Sequence, residues 1–234
     1  MPRPSKPSEA NRSSAHGPAA PAGGRRSWPI LPIAVGVAVI LALVAVLLSD
    51  GAGDDKGSDP VPAGVDQTQP VAVEGDVLPP RAEGDDPAIG SLAPTVEGAS
   101  FDGTPVTIGD DGRPKVLVFL AHWCPHCQRT VPFLADWFEA NGLPDDVDVY
   151  GVATSTSSDR PNYPPSTWLT REGWTPPTLA DDDSSTAAQA YGLTSFPFFV
   201  VIGADGQVVA RGSGELGAPQ WEALLDAARS GQAG

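Results

Sequence analysis

Basic residues are scarce in this chain: 14 Lys and Arg stand against 29 Asp and Glu, for a formal net charge of −15. A phosphate backbone is held by Lys and Arg, so nucleic acid is excluded as a partner. Cysteine is scarcer still, with only Cys124 and Cys127, and neither stands directly after the one long apolar run, which excludes a lipoprotein anchor. Residues 1–27 lack any apolar periodicity. Pro- and Ser-rich, with Arg3, Lys6, Arg12, Arg25 and Arg26, they are expected to form a disordered cytoplasmic tail. Residues 49–87 also lack a sustained apolar pattern, and their Asp, Gly and Pro content reads as an acidic linker. A flexible coil of about 40 residues has a mean span of about 35 Å.

What is present begins with the apolar run itself. Residues 28–48 are continuously apolar, and about 21 residues at about 1.5 Å each give about 31 Å, enough to cross a bilayer core as a transmembrane helix. Pro29 and Pro32 fall at its start, where a missing N–H costs little. Arg25 and Arg26 precede the run, while Asp50, Asp54 and Asp55 follow it, so the basic flank stays cytoplasmic. The expectation is a single-pass signal anchor in a bacterial cell membrane, contacting the lipid bilayer through 28–48, with the C-terminal domain extracytoplasmic. A cleaved signal peptide is the competing reading, but its apolar region runs about 7–15 residues. Ser49-Asp50-Gly51 is also a poor cleavage site.

Residues 88–231 alternate between strand and helix patterns, which implies an α/β domain. Thr95–Val96 and Pro105–Ile108, with Asp102-Gly103 between them, suggest an N-terminal β-hairpin. Lys115–Leu120 is a near-continuous run of β-formers, the signature of a buried central strand. A helix over Cys124–Asn141 is expected from Val131, Leu134, Trp137 and Phe138 at helical spacing, with Asn141-Gly142 as its stop. Val147–Ala153 follows as a strand parallel to the first. Short helices are expected near Ser166–Glu172 and Ser184–Tyr191, then an edge hairpin of Phe198–Ile202 and Gln207–Arg211 around Gly203-Ala204-Asp205-Gly206. Pro219–Arg229 closes the domain as a helix, with Trp221, Leu224, Leu225 and Ala228 on one face.

Between strand and helix lies Trp123-Cys124-Pro125-His126-Cys127. Residues three apart on a helix lie on one face with Cβ atoms about 5–6 Å apart, within reach of a disulfide after minor adjustment. The pair therefore reads as a redox-active site. A static disulfide is the alternative, but so short a loop contributes little chain-entropy stabilisation. Zinc is another use for Cys124, Cys127, His122 and His126, yet neighbours on a strand end and helix start are poorly placed to close a tetrahedron. No metal and no cofactor is expected.

These residues resemble the thioredoxin-like fold, and within it the TlpA/ResA-like group of membrane-anchored thiol–disulfide oxidoreductases. The resemblance rests on the strand Val116–Leu120 running into Ala121-His122-Trp123-Cys124-Pro125-His126-Cys127, on Val131-Pro132-Phe133-Leu134, and on Ala190-Tyr191-Gly192-Leu193-Thr194-Ser195-Phe196-Pro197. It implies a central mixed sheet flanked by helices. It further implies a nucleophilic Cys124 exposed at a helix start, a resolving Cys127, and catalytic contributions from His126 and Pro125. Phe196-Pro197 resembles the cis-proline loop of such folds, and Trp123, Phe196 and Pro197 are the implied substrate-binding residues. Phe196 also fits a plain core position. The implied partners are cysteine-containing exported proteins and a membrane redox partner that recycles the disulfide. Copper carriers of similar fold use a C-x-x-x-C pattern with a distant His, whereas here the third His is His16, in the tail.

The direction of electron flow turns on Pro125-His126, which is similar to the dipeptide of the oxidase DsbA. A His beside the attacking thiolate stabilises it and makes it a good leaving group. Val118 stands where thioredoxin has a buried Asp, and Thr130 where ResA-type proteins carry a Glu, and both departures disfavour a dedicated reductase. Thr154–Asp183 is, however, too short for the helical insertion of DsbA-like proteins. Oxidation is the preferred expectation and reduction, as in cytochrome c maturation, the alternative. A non-catalytic protein-binding module is the alternative of a different class.

Overall fold

The computed structural model describes residues 61–232. The expected tail 1–27, the expected span 28–48 and the first part of the expected linker, 49–60, lie outside the described residues. Among the described residues no helix is long and apolar enough to cross a membrane.

In chain order the elements are β1 (Ala72–Glu74), β2 (Thr95–Ala99), β3 (Pro105–Ile108), β4 (Lys115–Leu120), α1 (Cys127–Asn141), β5 (Asp148–Ala153), α2 (Pro165–Arg171), β6 (Thr178–Ala180), α3 (Thr186–Ala190), β7 (Phe198–Ile202), β8 (Val208–Ser213) and α4 (Ala218–Ser230). The main sheet has the order β6-β5-β4-β7-β8, with β4 parallel to β5 and antiparallel to β7. A second sheet of three strands, β1-β2-β3, is antiparallel. This is the central mixed sheet flanked by helices that the resemblance implies, and the expected N-terminal hairpin is the β2–β3 pair of the second sheet.

The apolar run becomes the central strand because both of its faces are covered. Val116, Val118 and Leu120 join a core with Val131, Leu134 and Phe138 of α1 and Trp221 and Leu225 of α4. Leu117 and Phe119 point the other way, into a core with Leu78, Val96, Ile108, Ala187 and Tyr191. Alternate residues of a strand face opposite sides, so a strand buried on both sides must be apolar throughout.

The linker expectation needs correction over its second half. Val73 of β1 pairs with Val96 of β2, Leu78 is buried, and its N–H donates to the Ala190 carbonyl at 2.9 Å. Arg81 N–H donates to the Gly192 carbonyl at 3.0 Å. Asp86 pairs with Arg211 of β8, whose side chains are 8% and 0% exposed. Arg211 also donates through NH1 to the carbonyls of Pro79 (2.9 Å) and Tyr191 (2.8 Å). This strap, residues 61–88, comes so close at Gly192, where φ is +67°, that a Cβ there would lie 2.2 Å from the Pro79 oxygen. Such a segment is held by backbone hydrogen bonds and isolated anchors, so no periodic apolar face betrays it.

Three further boundaries differ. β6 is an additional short strand, paired with β5, and α3 covers only five residues of the expected Ser184–Tyr191 helix. The helix expected from Cys124 begins instead at Cys127. Cys124 N–H closes a turn on the Ala121 carbonyl at 3.0 Å and its carbonyl accepts from Gln128 N–H at 3.0 Å, so Cys124 stands in the turn just ahead of the first regular helical residue.

Candidate active site

β4 delivers Ala121-His122-Trp123-Cys124 at its C-terminal end, and the turn before α1 places Cys127 behind Cys124. Both cysteines are free thiols. Cys124 is 6% exposed and Cys127 fully buried, so the attacking position is less open than the resemblance implies. Burial pushes the Cys127 thiol well above its ordinary value, against a backbone hydrogen bond from Ala121 that works the other way. A sulfur so placed keeps its proton until a disulfide chemistry next to it takes that proton away.

The Phe196–Pro197 peptide bond is cis, and the Phe196 carbonyl lies 4.0 Å from the Cys124 sulfur. The ring of Phe196 stands edge-on to Trp123, with centroids 5.8 Å apart and planes at 80°. Trp123 is fixed in turn by its indole N–H, which donates to the Ser155 carbonyl at 2.8 Å. Arg160 covers one face of the indole, its Cζ 5.0 Å from the centroid. The structure therefore brings Cys124, Trp123, Phe196 and Pro197 together, although they come from two distant stretches of chain. An aromatic pair and a carbonyl in long contact with a thiol can receive an extended peptide by apolar contact and one main-chain hydrogen bond.

His122 is buried, and both ring nitrogens are engaged: Nδ1–H donates to the Pro161 carbonyl at 2.7 Å, and Nε2 accepts from Ser157 N–H at 3.2 Å. Burial lowers its pKa, with the Pro161 carbonyl opposing. The His122 carbonyl accepts from Gln128 Nε2 at 3.0 Å. His122 is thus a brace that ties the motif to the loop after β5.

His126 occupies the N-cap position of α1 without a capping bond of its own. Its side chain is 57% exposed, and Nδ1 lies 2.5 Å from Oε1 of Glu215. Arg129 grips the same carboxylate, with Nε 2.9 Å from Oε2 and NH2 2.6 Å from Oε1. The Glu215 carboxyl is held down to about 2 by Arg129 and then His126. Glu215, Arg129 and Arg160 are the site-bordering residues that sequence reasoning missed. Glu215 follows β8 in a loop, 89 positions from His126, and a single acid in a Gly-rich loop carries no local signal.

Thr130 and Val118, the two departures noted in the sequence, are both buried. The Thr130 hydroxyl is without a hydrogen-bond partner. Around the cysteines, then, no carboxylate from β4 or α1 is at hand to move protons, and the chemistry available is that of a dithiol opening and closing a disulfide.

Methylamine utilization protein MauD of Methylobacillus flagellatus is 26% identical over 129 residues, covering 54% of this chain and 58% of that protein. The chain thus spans little more than half the length of the MauD relatives it first matches. Soluble secreted antigen MPT53 of Mycobacterium tuberculosis is 37% identical over 75 residues, 32% of this chain and 39% of that protein. Among solved structures, the thioredoxin domain of a thiol-disulfide oxidoreductase from Bacteroides vulgatus is similar at 21% identity and a TM-score of 0.48, covering 61% of this chain and 99% of that one. The model of the Redoxin family matches residues 88–225, which is more than half of the chain and includes the cysteine motif and the Phe196-Pro197 loop, and the chain belongs to that family.

Proposed function

We propose that the protein is a thiol–disulfide oxidoreductase that exchanges the Cys124–Cys127 disulfide with exported proteins, in the oxidising direction. The observation that carries this reading is the pair of thiols at the start of α1, with Cys124 facing the Phe196 carbonyl and Cys127 sealed behind it. In the oxidising cycle a substrate thiolate attacks the Cys124 sulfur of the disulfide, and Cys127 leaves and takes up a proton. A second substrate thiolate then attacks the same substrate's mixed-disulfide sulfur, and Cys124 leaves as a thiolate. Two electrons pass to the protein, which a membrane redox partner with a more oxidising disulfide or quinone must remove. Pro125 shapes the turn between the cysteines, and Trp123, Phe196 and Pro197 receive the substrate segment.

The domain is placed outside the membrane, anchored by residues 28–48, on the charge asymmetry of Arg25 and Arg26 against Asp50, Asp54 and Asp55. The secreted character in the name of the MPT53 relative supports the extracytoplasmic side. Reduction of a partner disulfide is the second reading, favoured by the single seven-residue helix between β5 and β6, where an oxidase of DsbA type carries a large insertion.

The test uses the purified full chain equilibrated with glutathione. An oxidase gives a potential near about −120 mV, whereas a value at or below about −270 mV establishes the reductase. Cys124→Ser abolishes exchange with a scrambled or reduced protein substrate, and Cys127→Ser accumulates a mixed disulfide through Cys124. An unsubstituted chain that shows no exchange at all would leave only the protein-binding module.

A further inference from the structure

We infer that Glu215 is a positioning residue that restrains the oxidising strength of the dithiol by drawing the charges of His126 and Arg129 away from the Cys124 thiolate. The inference rests on Cys124 being the exchanging thiol. Its basis is a fixed geometry. Gly214 N–H donates to the Pro197 carbonyl at 2.9 Å, so the residue before Glu215 is pinned to the loop that faces the cysteines. From there Glu215 reaches across to the start of α1, where its Oε1 receives His126 and Arg129 and its Oε2 receives Arg129.

The proton positions follow from these contacts. His126 Nδ1 lies 3.0 Å from Arg129 NH2, a nitrogen that can only donate. It also lies 2.5 Å from a carboxylate oxygen, a distance that two lone pairs cannot share. Nδ1 therefore carries a proton and gives it to Glu215, and Arg129 gives its own protons to the same carboxylate.

The charged groups around Cys124 can be named element by element. α1 supplies Arg129 and, just before it, His126. The loop after β8 supplies Glu215, the loop after β5 supplies Arg160 over Trp123, and Cys127 lies behind. The Phe196-Pro197 loop contributes a carbonyl but no titratable side chain. A charge on Cys124 is felt at Arg129, and His126 follows Cys124 by two residues with its Nδ1 3.0 Å from Arg129, so both groups border the thiol, and a positive charge near a thiolate stabilises it. With Glu215 ionised, Arg129 is neutralised in place. Without that negative charge, one uncompensated positive charge remains beside the thiolate.

Glu215→Gln removes the charge and retains an acceptor for His126 and Arg129, whereas Glu215→Asp keeps the charge. For Glu215→Gln, the pH midpoint of Cys124 alkylation in the full chain falls by about 0.5–1 unit, and its equilibrium with glutathione moves about three- to tenfold towards the dithiol. Glu215→Asp stays close to the unsubstituted protein in both readouts. Thermal unfolding of the oxidised and reduced forms separates charge from folding, because a merely structural role changes both melting points and leaves the alkylation midpoint where it was. An unchanged or raised midpoint in Glu215→Gln overturns the inference. An unsubstituted protein whose cysteines do not equilibrate with glutathione overturns the exchange activity instead, and the alkylation midpoint still judges Glu215.

Discussion

Two arginine–carboxylate pairs are built from β8 and the loop that follows it, and they differ in almost everything but chemistry. Arg211 on β8 meets Asp86 of the strap with side chains 0% and 8% exposed, and Glu215, four residues on, meets Arg129 with 39% and 56% exposed. The first pair is surrounded by carbonyls that take up Arg211's remaining donors. The second stands in solvent beside the cysteines. In the interior, removing one partner strands a desolvated charge, whereas on the surface water replaces what is lost. The buried pair therefore matters to whether the domain folds, and the exposed pair to what its thiols do.

The harshest way to break the comparison is to remove the strap. A chain beginning at residue 88, the first residue of the Redoxin match, loses Leu78 from the second core and leaves Arg211 without Asp86. It is expected to lose cooperative thermal unfolding, which a chain beginning at residue 61 retains. Next in size, Asp86→Ala or Arg211→Ala costs about 3–5 kcal/mol in denaturant unfolding. Replacing both with apolar residues sharpens the point, since recovery of most of that loss identifies the unpaired charge, rather than the lost pair, as the cost.

Acid tests the same contrast more gently. Burial pushes the Asp86 carboxyl up, but the Arg211 hydrogen bond, that of Ala88 N–H and the Arg211 charge outweigh it, so the carboxyl ends below its usual 3.8. A depressed carboxylate stabilises the fold above its ordinary value and loses that contribution as pH falls towards the folded value. His122 acts earlier. Its folded pKa lies below the usual 6.5, so below that pH the unfolded chain takes up protons that the folded one refuses, and stability falls with pH. The melting point is expected to begin declining below about pH 6.5 and to decline further below about pH 4. A flat profile between these values contradicts the buried, neutral His122. Smallest of all, Arg129→Ala leaves the melting point nearly unchanged, while its Cys124 alkylation midpoint rises, opposite to Glu215→Gln.

What could be read from the chain alone follows the range of the interactions. Lys115–Leu120, the helical stripe of Val131, Leu134 and Phe138, and Gly203–Gly206 each carry their reason within a few residues, and each appears in place. The cysteine pair is equally local. Phe196-Pro197 could be set against Cys124 only through the resemblance, because nothing near it in sequence points to a thiol 72 positions away. Glu215 and the strap had no such aid. The partners of Glu215 and the long-range partners of Leu78, Pro79, Arg81 and Asp86 lie 86 to 132 positions off, and their segments show only the Gly, Pro and Asp content of loops. Cys124 stands just ahead of α1 rather than inside it, since apolar spacing marks a helix face but not the residue at which its regular hydrogen bonds begin.

β4 divides its influence by parity. Even-numbered residues, Val116, Val118 and Leu120, share a core with Cys124 and Cys127, and odd-numbered ones, Leu117 and Phe119, share the other with Leu78 and Ala88 of the strap. A single strand thus addresses the redox face and the folding clamp through alternating letters. Repacking the even set offers a handle on the thiols that leaves the strap's anchorage alone, and the odd set offers the reverse.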